Sequence, residues 1–137
     1  MKSYGISYKN HEGYADPTAY HALTHLENES KQYRPLVYIC SPFSGDVDVN
    51  TVKAKKYSRF AVDSGSIAFA PHLLLPLYMS EDSERELAMF MDMVFLGKCD
   101  QLWVFGDAIT KGMQAEINKA TKKNMIIRYF TEDLVEA

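Results

Sequence analysis

Leu36-Val37-Tyr38-Ile39-Cys40-Ser41-Pro42-Phe43-Ser44-Gly45-Asp46 is the stretch on which the reading of this chain turns. Its first five residues are rich in β-formers and carry no charge, and a Ser, Pro and Gly cluster then stops them, which reads as a buried strand entering a tight polar loop. Beyond the loop, Val49, Val52, Ala54, Tyr57, Phe60, Ala61 and Val62 recur at intervals of three and four until Gly65. That spacing predicts an amphipathic helix with its C-cap.

The same alternation continues to the end of the chain. Ile67 to Ala70 reads as a second strand ended by Pro71, and the stretch 71–80, with two prolines, reads as a loop. Ser83 and Glu86 stand in capping-box spacing, so a helix is expected from there to about Lys98. Gln101 to Phe105 predicts a third strand, 106–112 a loop, Met113 to about Lys123 a helix, and Met125 to Phe130 a fourth strand. Strands that are continuously apolar and separated by helices mark a parallel sheet covered on both faces. The expected fold is therefore an α/β, doubly wound, flavodoxin- or Rossmann-like sandwich with a parallel sheet of about four strands in the order 2-1-3-4. Its crevice falls at the carboxyl ends of the first and third strands, so the loops 41–50 and 106–116 matter most.

Residues 1–34 are polar, rich in Tyr and His, and lack an apolar run. They read as an N-terminal helical extension, with a helix expected over about 17 to 31, set before a domain spanning 35–137. The whole chain has 137 residues, 47% hydrophobic and 24% charged, which fits a folded domain and excludes a fibrous or wholly disordered chain. A net charge of −3 without a Lys and Arg cluster argues against nucleic-acid binding. The lack of a long apolar segment and of a signal-peptide core at the N-terminus predicts a cytoplasmic protein with no membrane partner. Cys40 and Cys99 have no CxxC spacing and read as reduced, structural thiols. His21 and His25 lie four apart but lack an intervening glutamate, so they read as a solvated face, and no metal site or cofactor is expected.

Several residues carry possible chemistry. Ser41, Ser44 and Gly45 precede a helix N-terminus, where an anion is favoured, although ordinary turn and capping chemistry uses the same residues. Asp107, Thr110, Gly112 and Glu116 surround the next strand-to-helix turn. Glu116 there is expected to stay ionised under the helix dipole, the alternative being a helix-stabilising glutamate on a solvated face. Asp92 sits alone in Leu87-Ala88-Met89-Phe90-Met91-Asp92-Met93-Val94-Phe95-Leu96, and a charge among such residues must meet a polar cavity or a partner. His72, at the end of the second strand, either enters the crevice or caps its loop.

The run Val37-Tyr38-Ile39-Cys40-Ser41-Pro42, Asp92 in the helix before the third strand, Cys99-Asp100-Gln101-Leu102-Trp103-Val104-Phe105-Gly106-Asp107 and Thr110-Lys111-Gly112-Met113-Gln114-Ala115-Glu116 together resemble the nucleoside 2-deoxyribosyltransferase-like superfamily over about residues 36 to 130. That superfamily contains nucleoside 2-deoxyribosyltransferases, 2'-deoxynucleoside 5'-monophosphate N-glycosidases and many small uncharacterised members, which this chain resembles more closely. The resemblance implies that Glu116 attacks C1' of a deoxyribose, that Tyr38 orients it, and that Asp92 handles the base or sugar. It also places Thr110 and Gly112, six and four positions before the glutamate, beside a nucleotide, with Pro42 and Phe43 in the loop after the first strand. The hydrolases carry an arginine in that loop and this chain has none, so positive charge for a phosphate would come from Arg85, Lys53 or a neighbouring subunit.

Cleaving an N-glycosidic bond needs a carboxylate below the anomeric carbon and an acid near the leaving base, roles that Glu116 and Asp92 can fill. The leading expectation is hydrolysis or transfer on a deoxynucleoside or its 5'-monophosphate. The alternatives are a non-catalytic sensor of a nucleotide-derived ligand and a structural protein that docks through its N-terminal segment. The helix over 83–98 is apolar around most of its circumference, so a homodimer or higher homo-oligomer is expected.

Overall fold

The computed structural model describes residues 32–80 and 82–137 together with Ala19 and His21. The remainder of the helix predicted over 17 to 31, His25 included, lies outside the described residues. The chain divides between Tyr33 and Arg34, and the unit Arg34–Ala137 carries the sheet.

Its elements follow in the order β1 (Leu36–Cys40), α1 (Val47–Asp63), β2 (Ile67–Phe69), α2 (Pro71–Leu74) with a 3-10 turn (Leu75–Leu77), α3 (Arg85–Lys98), β3 (Gln101–Phe105), α4 (Lys111–Lys122) and β4 (Ile126–Phe130). The four strands form one sheet in the order β2-β1-β3-β4, and every pairing is parallel. This is the doubly wound α/β arrangement expected from the strand pattern. Val37 to Cys40 and Leu102 to Phe105 are buried on both faces because β1 and β3 are central, whereas Ile67 and Ile126 on the edge strands stay exposed.

Alternation along each strand divides the core in two. Val37, Ile39, Trp103 and Phe105 point to one face and pack with Tyr57, Ala61 and Phe130. Tyr38, Cys40, Leu102 and Val104 point to the other and pack with Leu96 of α3 and with Met113, Ile117 and Ala120 of α4. Helix α1 begins where the Asp46 side chain accepts from the Val49 amide at 3.2 Å, and Gly65 at φ +89° ends it. The buried stripe on α1 is narrower than its apolar periodicity suggests: Ala54, Tyr57 and Ala61 are buried, whereas Val49, Val52 and Val62 are exposed.

Two local expectations need correction. The stretch 71–80, read as a loop, holds α2 and the 3-10 turn, because each of its prolines sits at a helix start, where the missing N–H costs nothing. The capping box of Ser83 and Glu86 does not form. Helix α3 starts at Arg85 with no side-chain cap, and Glu84 Oε1 instead accepts from the Ser80 amide at 2.9 Å. Among the described residues no helix is long and apolar enough to cross a membrane.

Candidate active site

At the carboxyl end of the sheet, the loops after β1 and β3 diverge around a cavity of about 450 Å³, the size of a small-ligand pocket. Ser41, Phe43 and Ser44 line it from the first loop, and Thr110, Gly112 and Glu116 line it from the second loop and α4. His72 closes one side and Asp92 of α3 another.

Glu116 is 4% exposed and faces neither solvent nor another carboxylate on its own helix. Two donors reach it from β1, because residues two apart on a strand project to the same face. The Cys40 thiol donates to Glu116 Oε1 at 3.5 Å. The Tyr38 hydroxyl lies close enough to favour the carboxylate, yet that hydroxyl, Ser41 Oγ and Glu116 Oε2 are all buried without a hydrogen-bond partner among the described residues. Burial lifts the Glu116 carboxyl from 4.5 to about 7; the nearby Asp92 charge pushes the same way, while Tyr38 and Cys40 oppose both. Burial thus opposes the helix-dipole effect expected to keep Glu116 ionised. Glu116 lies beyond the first turn of α4, where the dipole has faded, and desolvation wins. Burial also raises the Tyr38 hydroxyl and the Cys40 thiol well above their ordinary ranges, with the Glu116 charge adding to both.

Thr110 caps α4, its hydroxyl accepting from the Met113 amide at 3.2 Å. His72 Nε2 donates to the Ser41 carbonyl at 2.9 Å, and its ring stacks on Phe43 at 5.0 Å between centroids. Burial holds the imidazole below its ordinary pKa, and the bond to Ser41 opposes that only in part. The ring is therefore neutral near pH 7, with Nδ1 as its acceptor.

Other sequence candidates fall elsewhere. Tyr38 does not line the cavity; it is wholly buried behind Glu116. Pro42 and Gly45 lie in the first loop without lining the cavity; Gly45 is exposed at a turn with φ +98°. Asp107 is exposed just after the turn at Gly106. Lys53 is paired with Glu132 at 2.7 Å and does not reach the cavity, whereas Arg85 lines it. Sequence reasoning missed an apolar wall of Leu75, Met79, Met89 and Met93, and it missed Lys111. The wall went unseen because 71–80 reads as a loop; methionines ten residues apart on different elements carry no periodic signal. Among the described residues no group of three or more His, Cys, Asp or Glu side chains is placed to hold a metal ion.

No curated protein matches the chain. A family described as a domain of unknown function, DUF7768, matches residues 35–130, a span that takes in all four strands and every cavity residue named above. The chain belongs to the DUF7768 family.

Proposed function

We propose that this cavity cleaves or transfers the N-glycosidic bond of a deoxynucleoside or deoxynucleoside 5'-monophosphate. The observation that carries the reading is that Glu116 and Asp92 border one cavity from different helices, with Glu116 held near neutrality between its acid and its carboxylate. Two carboxyls around one desolvated site share a proton more cheaply than both ionise. One ionised group and one protonated group is also the state that glycosidic cleavage requires.

In this reading Glu116 Oε2, which has no hydrogen-bond partner among the described residues, attacks C1'. The C1'–N bond breaks, its electron pair leaves on the base, and Asp92 supplies the proton that the base needs. Water, deprotonated by Asp92, or a second base then attacks C1' and frees the glutamate. The Phe43–His72 pair offers an aromatic edge for a base. Arg85, Lys111 and the capped start of α4 give a 5'-phosphate the positive surroundings that the first loop lacks. A soluble nucleotide pool in the cytoplasm is the matching source of substrate. A homodimer is part of the proposal: α3 leaves Leu87, Phe90 and Val94 exposed, and light scattering at micromolar concentration tests it.

The test is release of free base from a deoxynucleoside, its 5'-monophosphate and the matching ribonucleotide, with and without an acceptor base. Turnover of the deoxy substrates supports the reading; saturable binding without turnover replaces it with the sensor. Because the pair must keep one proton, ionisation through about 7 removes the acid that the base needs, and kcat/KM falls as pH rises across that range. A rise through the same range would show that the base leaves without a proton from Asp92.

A further inference from the structure

The nucleophile of the proposed reaction has two oxygens, and the fold treats them differently. Oε1 accepts from Cys40 Sγ at 3.5 Å, whereas Oε2 is buried with no hydrogen-bond partner among the described residues. The thiol is wholly buried, and its other polar neighbour, the Met113 carbonyl, is farther away at 4.0 Å. Cys40 is also uncharged: burial and the neighbouring carboxylate both oppose its ionisation, so the sulfur keeps its proton and can only donate to the carboxylate.

We propose that Cys40 is a positioning residue that ties down Oε1 of Glu116 and thereby selects Oε2 as the attacking atom. The inference deepens the N-glycosidase reading and rests on it for the identity of the attacked carbon alone. A carboxylate free to rotate would present either oxygen to C1', each at some cost in alignment. One fixed at Oε1 presents a single lone-pair direction, and small errors of placement at this stage are expensive. The attack forms the Oε2–C1' bond as the C1'–N pair departs on the base, while the S–H stays with Oε1 throughout. Cys40 gains and loses nothing, which is why a poorly nucleophilic, buried thiol suits the position.

The groups around Glu116 are few enough for its titration to be interpreted. Tyr38 and Cys40 reach it from β1 and Asp92 from α3, while Lys111 on its own helix and Arg85 and His72 border the same cavity. Of these, Cys40 alone is altered in the test. Cys40→Ala removes the donor, and Cys40→Ser replaces it with another. Following the Glu116 carboxyl by carbon NMR in the substrate-free protein, we expect Cys40→Ala to raise its midpoint by roughly half to one pH unit, because a hydrogen bond to the charged form is lost. In turnover, kcat should fall about tenfold with KM nearly unchanged, the mark of lost alignment rather than lost binding. Cys40→Ser should return both values close to the starting protein. An unmoved midpoint in Cys40→Ala, or a folded Cys40→Ser that restores nothing, would overturn the proposal.

If Cys40→Ala does not fold, the S–H stretching band of the unaltered protein gives the answer. The Cys40 band should move in Glu116→Ala while that of Cys99 stays fixed, and an unmoved Cys40 band overturns the proposal. Failure of the N-glycosidase reading looks different: the unaltered protein turns over no deoxynucleoside, and the substrate-free titration and the S–H band still report on Cys40.

Discussion

The two faces of this sheet are built to opposite rules. On the α1 face, Tyr57 stacks on Phe105 at 4.4 Å, Phe105 on Phe130 at 5.0 Å, and Trp103 leans on Phe130 at 5.1 Å. Its charges are pushed to the rim, where Arg128 lies over the Trp103 ring at 4.6 Å and pairs with Glu136, and where Lys53 pairs with Glu132. On the α3 and α4 face the same strands bury Tyr38, Cys40 and Glu116, whose polar atoms are left partly unsatisfied. Unpaired buried polar atoms are expensive, and a fold tolerates them where a ligand is to be met. One face is packed with stacked rings; the other carries the unsatisfied polar atoms of the proposed site.

The largest expected effect lies on the costly face. Glu116→Gln should cut base release by roughly a thousandfold or more while the protein stays folded, since it removes the proposed nucleophile and keeps the shape. Steady-state rates alongside far-UV circular dichroism decide this, and wild-type rates would remove Glu116 from the chemistry and the contrast with it.

On the other face the order of effects reverses. Trp103→Ala should cost about 3–5 kcal/mol of stability, because it removes a large, fully buried ring that packs on Phe130 and Phe60 at one end of the aromatic stack. Denaturant melts measure it. A loss below about 1 kcal/mol would mean that this stack is not what holds the sheet.

Next comes pH, which should separate the faces directly. A folded-state pKa above the unfolded one means that the native protein holds the Glu116 proton longer, so stability falls as pH rises from 4.5 to about 7 and the loss is complete above that window. The full difference is roughly 3 kcal/mol. Glu116→Gln should therefore be more stable than the unaltered protein by about that amount at pH 8 and nearly equal to it at pH 4. Parallel melts across this range test it; a difference that does not change with pH would show that the cavity does not desolvate the carboxyl.

The smallest effect is at the rim. Lys53→Ala breaks an exposed ion pair with Glu132 and should barely move the melting midpoint, with still less change at high salt. A large drop would mean that the rim charges carry stability after all.

Much of this contrast was legible in the residues, though unevenly. Continuous apolar runs at 36–40 and 101–105 mark central strands because a parallel sheet hides both faces, and the period of two already assigns Val37 and Ile39 to one side and Tyr38 and Cys40 to the other. Asp92 drew notice because its neighbours are apolar, and it does line the cavity. Glu116 was visible as a residue but not as a buried one: a glutamate in the second turn of a helix has the same local pattern whether it meets solvent or β1. The prolines at 71 and 76 misled because the same residue that ends one element can start the next.

Taken alone, the sequence determined the order of the four strands and the three long helices, the parallel sheet and its 2-1-3-4 topology, because these follow from local periodicity and from chain connections that admit few arrangements. Tertiary structure alone decided that Cys40 and Glu116, 76 positions apart, meet at 3.5 Å. It also decided that the carboxyl there titrates near 7 and that methionines from separate elements form one wall. The physical reason is that desolvation and hydrogen bonding depend on which groups surround an atom in space, and that neighbourhood is assembled from segments with no pattern in common.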